Sequence, residues 1–509
     1  MPMAKQATTR TPELAVTLGW ALAIVVTFAL VIRGIASGYS YWFDELFSVV
    51  HNSASLKTLW EHRSDDVHPP EYPVLLWAWM KLWGQSEIAT RSLSAIFAGL
   101  AAVTPLLLAR RYGKVFAFAA SMLIVSNPLA VFYAQETRDY AMLLFGSTLT
   151  LCAFLDHRRR LFFAAALLTG LTHYFGTLLA VTLLFLHLLR HPKSVRELAY
   201  VAAIGVLLIL WPAYQTTRGV AGAALGGNFW ITTSSGESVV LAARVMAPQV
   251  FWVITKIGVL GGLVLGLLLV AGFATIARKA LRSIRAALAR SGQNDRGIAW
   301  IVATGVLVIL GVAVISLHSP IAIERNYIVL LPIQGLILAW AVDRGLNSWF
   351  GWFTLTLFFV YCGLGIYLGI LKLEDKTRPV EDWKALADRT ASVVRETGLP
   401  LYYFVNYPTG EEKFLEFYLP GEIRARPITL QSLQALPDQA VVVLASGCQA
   451  ESQSHPVTDF FRRSGKAFTA IAFSGWRPCG MEIVSTGAPN GGSDAAGRRA
   501  LGAIPPSQR

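Results

Sequence analysis

The chain has 509 residues, of which 54% are hydrophobic and 15% charged, with a mean hydropathy of +0.50; a soluble domain carries about 25% charged residues. That composition excludes disorder, a disulfide-stapled mini-protein and an ordinary soluble enzyme, and it points to a membrane protein. The formal net charge of +13 does not indicate nucleic acid, because the basic residues stand at the ends of apolar runs.

A transmembrane helix needs about 20 mostly apolar residues. Eleven runs qualify as spans: 14–36, 92–109, 115–133, 141–155, 161–173, 175–189, 197–214, 250–276, 298–317, 327–343 and 349–371. The pair 161–173 and 175–189 is short, and His173-Tyr174 divides it. The first run is too long for a signal peptide, has no convincing cleavage site and is followed by further spans. With the N-terminus inside, the segments 1–13, 110–114, 156–160, 190–196, 277–297 and 344–348 hold 18 Lys and Arg in 56 residues. The opposite segments 37–91, 134–140, 215–249 and 318–326 hold 8 in 106. Positive residues stay on the cytoplasmic side, so everything after residue 371 is expected outside, in the periplasm or its equivalent.

The tail is different in kind. Residues 372–487 alternate short apolar strands, such as Leu401–Val405 and Val441–Leu444, with amphipathic stretches such as Val380–Glu396, and read as a small α/β domain. Residues 488–509 are rich in Gly, Ala, Ser, Pro and Arg and read as a disordered tail. The expected organisation is therefore a membrane domain over 1–371, an outer α/β domain over 372–487 and the tail. Of the four cysteines, Cys152 and Cys362 lie in apolar runs. Cys448 and Cys479 share the outer side, where a disulfide and a pair of free buried thiols both stay open.

The acids are unevenly placed. Seven of the 16 Asp and Glu in residues 1–371 lie in the outer loop 37–91: Asp44, Glu45, Glu61, Asp65, Asp66, Glu71 and Glu87. A connector of that length tends to be functional. Tyr41-Trp42-Phe43 before the acidic pair, and the three tryptophans within Val74–Trp83, suit helices lying along the membrane interface. Pro69-Pro70 would open the second of these. Asp44 and Glu45 thus sit at a helix start close to lipid headgroups, where partial desolvation makes a carboxylate a better base. The structural alternative is an acid pair that answers the helix dipole.

A second cluster, Tyr133-Ala134-Gln135-Glu136-Thr137-Arg138-Asp139-Tyr140, is squeezed between two apolar runs. Charges at the membrane edge are costly and are usually paired or functional. Glu136 with Arg138 reads as a structural pair, or Arg138 reads as a phosphate ligand, since its planar fork matches phosphate oxygens. His68, His173, Tyr174, Arg325, Tyr327 and Lys256 share the same side, and each alone is more often a capping or snorkelling residue than a ligand.

Several strings together resemble glycosyltransferase family 39, which includes bacterial lipid A aminoarabinose transferases and protein O-mannosyltransferases. They are Trp42-Phe43-Asp44-Glu45, His68-Pro69-Pro70-Glu71-Tyr72, Arg91-Ser92-Leu93-Ser94-Ala95, the Tyr133–Tyr140 cluster and Thr172-His173-Tyr174-Phe175. Order and spacing match over roughly residues 14–215, and more weakly over 320–335. The resemblance implies a GT-C fold: an α-helical, multi-span membrane enzyme that takes a sugar from a polyprenyl-phosphate donor at the outer leaflet. It makes Asp44 the base that activates an acceptor hydroxyl for inverting attack, with Glu45 positioning the acceptor or a cation. Arg138 is the first choice to hold the donor phosphate, with His68, Lys256 and Arg325 behind it; Glu136, Tyr140 and Tyr174 complete the expected donor site.

No cofactor is required by this reading. A divalent cation has hard ligands available in Asp44, Glu45, Asp65, Asp66 and His68, but there is no metal-specific spacing such as HExxH, and no metal site is assigned. The expected partners are the polyprenyl-phosphate sugar, a glycolipid, lipopolysaccharide or envelope-glycan acceptor, and membrane lipids, with no nucleic acid. The expected location is a bacterial inner membrane. A protein O-mannosyltransferase is the near alternative. A transporter or flippase of lipid-linked sugars is the alternative from another class, although the charges lie at one surface rather than at the midplane and no internal repeat is evident. A non-catalytic scaffold would have no need of the acid pair.

Overall fold

The computed structural model describes residues 3–53, 55–64, 68–219, 231, 233–256, 293–346, 350–377, 382–404, 412–437, 440–445, 460, 468–473 and 481–486. The chain forms two compact units, Met1–Tyr39 with Phe47–Arg378 and Ser40–Leu46 with Pro379–Arg509.

The first unit is helical. Helix α1 (Met3–Ala36) ends at Gly38, whose φ of 60° is the left-handed turn that glycine adopts at a helix exit. The long predicted loop folds as three short helices, α2 (Phe43–Asn52), whose residues up to Leu46 belong to the second unit, α3 (Leu56–Ser64) and α4 (Glu71–Trp83). Helix α5 (Glu87–Val103) starts at Ser86, whose side chain accepts from the Ala89 N–H at 3.3 Å as an N-cap does. It runs through a 3-10 turn, Thr104–Leu108, into α6 (Ala109–Tyr112). There follow α7 (Lys114–Val125), α8 (Pro128–Tyr133), α9 (Tyr140–Leu155), α10 (Arg159–Thr172), α11 (Tyr174–Arg190) and α12 (Val195–Thr217). After them come α13 (Ser235–Met246), α14 (Pro248–Lys256), α15 (Gln293–Ile315), α16 (Leu331–Leu346) and α17 (Gly351–Thr377).

Among the described residues six helices are long and apolar enough to cross a membrane, and up to seven if α13 and α14, bent by 97°, form one span. Several of the eleven predicted spans are shorter: α7, α9 and α11 have 12, 16 and 17 residues. Run 115–133 is broken, because Asn127 caps α8, accepting from Leu129 N–H at 2.9 Å, with Pro128 in its first turn. Segment 215–249, expected to be a connector, contains α13, and most of run 250–276 lies outside the described residues. The expected break at His173 is present between α10 and α11.

Helix α9 is the hub of this unit, packing on α5, α10 and α11, and Leu143, Leu151, Leu179 and Leu183 are fully buried there. Helices in lipid gain little from hydrophobic burial against one another, so close packing and polar pairs hold them together. Thr150 and Thr169 hydroxyls meet at 2.9 Å between α9 and α10, and Trp20 Nε1 donates to Ser121 Oγ at 2.7 Å between α1 and α7. At Gly176 an added Cβ would stand 2.0 Å from the Thr169 carbonyl, so α11 approaches α10 at a distance only glycine permits.

The second unit carries a five-stranded sheet in the order β2-β1-β3-β5-β4, formed by β1 (Leu401–Phe404), β2 (Arg426–Ile428), β3 (Ala440–Ala445), β4 (Phe468–Phe473) and β5 (Met481–Thr486). β1 runs parallel to β2 and β3, while β5 is antiparallel to β3 and β4. Helices α18 (Trp383–Thr397) and α19 (Glu412–Tyr418) belong to the same unit, which is the expected small α/β fold. Cys448, Cys479 and residues 488–509 lie outside the described residues.

Tyr41 and Phe43, expected at a lipid interface, belong instead to the packing of this unit. The Tyr41 N–H donates to Tyr418 Oη at 3.0 Å, the Tyr41 ring lies 5.9 Å from Phe417, and Phe43 meets Phe414 edge-on at 5.3 Å. Phe414 in turn meets Trp383 at 5.8 Å.

Candidate functional site

The connector between α8 and α9 is where polar residues concentrate. Gln135, Glu136, Thr137 and Asp139 are all buried within the protein. Buried polar groups in such a bundle need internal partners, and α5 supplies them. Ser94 Oγ donates to the Glu136 carbonyl, and Thr90 and Thr137 hydroxyls meet at 2.7 Å. From the end of α1, Tyr39 Oη donates to the Gln135 carbonyl at 3.0 Å. Arg91, wholly buried, stacks over the Tyr39 ring at 3.7 Å and donates to the Tyr39 carbonyl at 2.9 Å. These pins lie at i, i+1 and i+4 on one side of α5.

Held in this way, the connector presents Arg138 to a small, open cleft lined by Ser48, Asn52, His68, Pro69, Tyr72, Pro73, Arg138 and Asp139. Arg138 Nη1 donates to Ser48 Oγ at 3.3 Å. Tyr140, the first residue of α9, is flanked by two guanidinium groups, with Arg138 5.9 Å and Arg325 5.8 Å from its ring centre. Arg325 arrives on a 3-10 turn, Glu324–Leu330, which is held by Asn326 Nδ2 donating to the Ile321 carbonyl at 3.0 Å and Tyr327 Oη donating to the Ser238 carbonyl at 2.8 Å. Two planar, permanently charged forks on one aromatic ring are suited to an oxyanion such as a phosphate.

His173 adjoins the same ring at 5.9 Å and His68 at 5.8 Å. Its Nδ1 accepts from the Phe175 N–H at 3.1 Å, capping α11. An acceptor Nδ1 means a neutral imidazole with the proton on Nε2. Beside it, Thr172 Oγ1 lies 3.0 Å from Glu71 Oε2, and burial pushes the Glu71 carboxyl from 4.5 up to about 7, with the Thr172 contact working against the rise.

Asp44 and Glu45 occupy the first turn of α2. Asp44 is half-buried and Glu45 fully buried, and the Glu45 N–H closes the turn on the Trp42 carbonyl at 3.0 Å. Of the predicted donor residues, His68 and Arg138 line the cleft, and Tyr140 and Arg325 adjoin Arg138. Glu136 lies behind it, its carbonyl taken by Ser94. Tyr174 is half-buried at the start of α11 and is not a lining residue. Lys256 is exposed at the end of α14, outside this cluster. Sequence reading passed over Ser48, Asn52, Thr90 and Thr172 as site residues, and treated Arg91 and Ser94 as motif without a role. Among the described residues no group of three or more His, Cys, Asp or Glu stands ready to hold a metal ion; Asp65 and Asp66 lie outside them.

A helical bundle with several spans, a polar cleft at the start of α9 and an appended α/β unit defines a multi-pass membrane protein. No family model matches the chain, and no curated protein sequence does. Among solved structures it is similar to ArnT from Cupriavidus metallidurans in the apo state, with a TM-score of 0.58 and 15% identity over 92% of this chain and 97% of that one. The same protein bound to undecaprenyl phosphate matches with a TM-score of 0.56 and 15% identity, over 94% and 99% of the two chains. The fold expected from the motifs is therefore the fold observed, over nearly the whole length.

Proposed function

We propose that this chain is an inverting membrane glycosyltransferase that moves a single sugar from a polyprenyl-phosphate donor onto a glycolipid, lipopolysaccharide or envelope glycan at the outer face of a bacterial inner membrane. The observation that carries the reading is the pair Arg138 and Arg325 on Tyr140, beside a small cleft, in a fold shared with a protein whose crystal structure holds undecaprenyl phosphate. The 18-to-8 bias of Lys and Arg between the two sets of loops sets the N-terminus in the cytoplasm and the α/β unit outside.

In this reading Asp44 takes the proton of the acceptor hydroxyl. The acceptor oxygen attacks the anomeric carbon as the bond from that carbon to the phosphate oxygen breaks, and the configuration inverts. The polyprenyl phosphate departs with the electron pair, and the guanidinium groups of Arg138 and Arg325 stabilise the charge it gains. A phosphate is already a good leaving group, so fixed positive charge contributes more than a strong acid would. Glu45 positions the acceptor side of the site, and the neutral His173 offers its Nε2–H to a sugar hydroxyl or phosphate oxygen.

The test is mass spectrometry of envelope lipids and glycans from a deletion strain complemented with wild type or Asp44→Asn. Loss of one sugar from an envelope glycolipid or glycan, restored by wild type alone, is expected, together with a build-up of single-sugar polyprenyl phosphate. Full rescue by Asp44→Asn would sink the assignment of Asp44 as base.

A further inference from the structure

Glu71 has no part in the chemistry above, yet its contact with Thr172 does not balance as a carboxylate. Thr172 Oγ1 lies 3.0 Å from Glu71 Oε2 and 2.8 Å from the Leu168 carbonyl, one helical turn back. The hydroxyl has a single proton, and both neighbours are acceptors if Glu71 is ionised. An ionised Glu71 leaves two acceptors to share that one proton, whereas a neutral Glu71 gives each contact its own, its O–H donating to Thr172 Oγ1 and Thr172 donating to the Leu168 carbonyl.

The position of this contact gives it a purpose. Glu71 is the first residue of α4, and the cleft wall made by His68, Pro69, Tyr72 and Pro73 brackets it in sequence. Thr172 is the last residue of α10, immediately before the His173 cap that adjoins Tyr140 and His68. We propose that Glu71 is a positioning residue of the donor site that works as the neutral acid, docking the His68–Pro73 wall onto the turn between α10 and α11. The inference rests on the functional reading above.

Burial agrees with the geometry, since it raises this carboxyl to about 7. Desolvation penalises the charged form, and no charged neighbour enters among the causes. Helix α4 packs on α3, α5 and α10. On α3, Lys57 and Glu61 are exposed and 3.9 Å from each other. On α5, Glu87 is buried in the first turn and Arg91 is engaged with Tyr39. On α10, Arg159 pairs with Glu197 at 3.0 Å, at the opposite end of the helix. The titratable and charged groups of the adjoining cleft and turn are His68, Arg138 and Asp139, which line the cleft, and His173, 5.8 Å from His68. A carboxyl raised in the folded state favours the folded, docked form at low pH. That advantage is lost as pH rises from 4.5 through about 7.

The experiment uses the full chain in nanodiscs, with undecaprenyl phosphate as probe, across pH 5.5 to 8.5. Wild type, Glu71→Gln, Glu71→Ala and Thr172→Val are compared for lipid Kd and, without lipid, for thermal midpoint. A phosphate monoester titrates near pH 6 itself, so the quantity read is the ratio of wild-type to Glu71→Gln Kd, in which the lipid's own titration cancels. Gln keeps a neutral donor in the same place, so this ratio is expected to rise about tenfold between pH 6 and pH 8, that being the drop in the neutral fraction of an acid titrating at about 7. Glu71→Ala and Thr172→Val bind weakly throughout, and the wild-type midpoint falls relative to Glu71→Gln over the same window. A ratio that stays flat, or a Glu71→Gln protein that binds as poorly as Glu71→Ala, overturns the proposal. Absence of any binding by wild type would overturn the functional reading and the positioning role with it, while the midpoints would still report whether Glu71 holds the proton.

Discussion

If Arg138 and Arg325 hold one phosphate, truncating either must weaken lipid binding, and the two losses must be coupled. A hydrogen bond to a charged partner contributes about 1.5–3 kcal/mol. Arg138→Ala is therefore expected to raise the Kd for undecaprenyl phosphate about ten- to a hundredfold. Arg138 is also held within the protein. Its bond to Ser48 is long at 3.3 Å, and its 5.9 Å distance to Tyr140 is near the outer limit of a cation–π contact. The thermal midpoint without lipid reports the share of the loss that belongs to contacts within the protein, and the change in Kd beyond it is the ligand's. Arg138→Lys keeps the charge but not the fork and falls between the two. The double variant Arg138→Ala/Arg325→Ala should depart from additivity by more than about 0.5 kcal/mol, the usual mark of groups sharing a partner. Lys256→Ala, at an exposed position, is the control and should bind as wild type. The assay is a lipid titration in nanodiscs at two ionic strengths. Single variants within twofold of wild type, or losses that simply add, would refute the shared phosphate site.

Two further outcomes concern the scaffold. Arg91→Ala removes a buried guanidinium stacked 3.7 Å over Tyr39 and bonded to its carbonyl at 2.9 Å, a loss of about 2–5 kcal/mol; a thermal midpoint lower by about 2–5 °C is expected, and an unchanged midpoint would contradict the pinning described. Gly176→Ala puts a Cβ 2.0 Å from the Thr169 carbonyl and 2.8 Å from Leu143 Cδ1, so α10 and α11 must separate at a cost of about 1–3 kcal/mol, again read as a lower midpoint in detergent or nanodiscs.

The helical spans were legible because lipid leaves the backbone few solutions, so that long apolar runs become helices. Where such a run is broken, the break is written in capping residues rather than in hydropathy. Ser126-Asn127-Pro128 carries an N-cap followed by proline, and Ser234-Ser235-Gly236-Glu237 is the capping box that opens α13. Both signals are present in the sequence and are outweighed by the apolar residues around them. Tyr41 and Phe43 were misread for a different reason. Aromatic residues beside a span suit a lipid interface and a protein core equally, and only the fold shows Phe414, Phe417 and Tyr418, more than 370 residues later, beside them. Arg138 stood out in the sequence by its chemistry, and in the fold it lines the cleft. The contact of Glu71 with Thr172 joins residues 101 apart, and nothing local to either one announces it.

The Tyr133–Tyr140 string reads as one functional block, yet the structure divides its labour. Gln135, Glu136 and Thr137 hand a backbone carbonyl or a hydroxyl to Tyr39, Ser94 and Thr90. A backbone carbonyl accepts a hydrogen bond whatever side chain its residue carries. At 135 and 136 the pinning therefore constrains the path of the chain more than the identity of the residue, and α5, which supplies the donors, is the more demanding partner. Within the string it is Arg138 and Asp139 that line the cleft, with the Tyr140 ring 5.9 Å from the Arg138 fork. Conversely, Thr90, Arg91 and Ser94 carry no chemistry of transfer, yet they fix where the Arg138 guanidinium can reach. A motif of this kind is as much a record of how a buried polar connector is satisfied in an apolar bundle as of what the site does, which is why its presence predicted the fold more securely than the role of each residue in it.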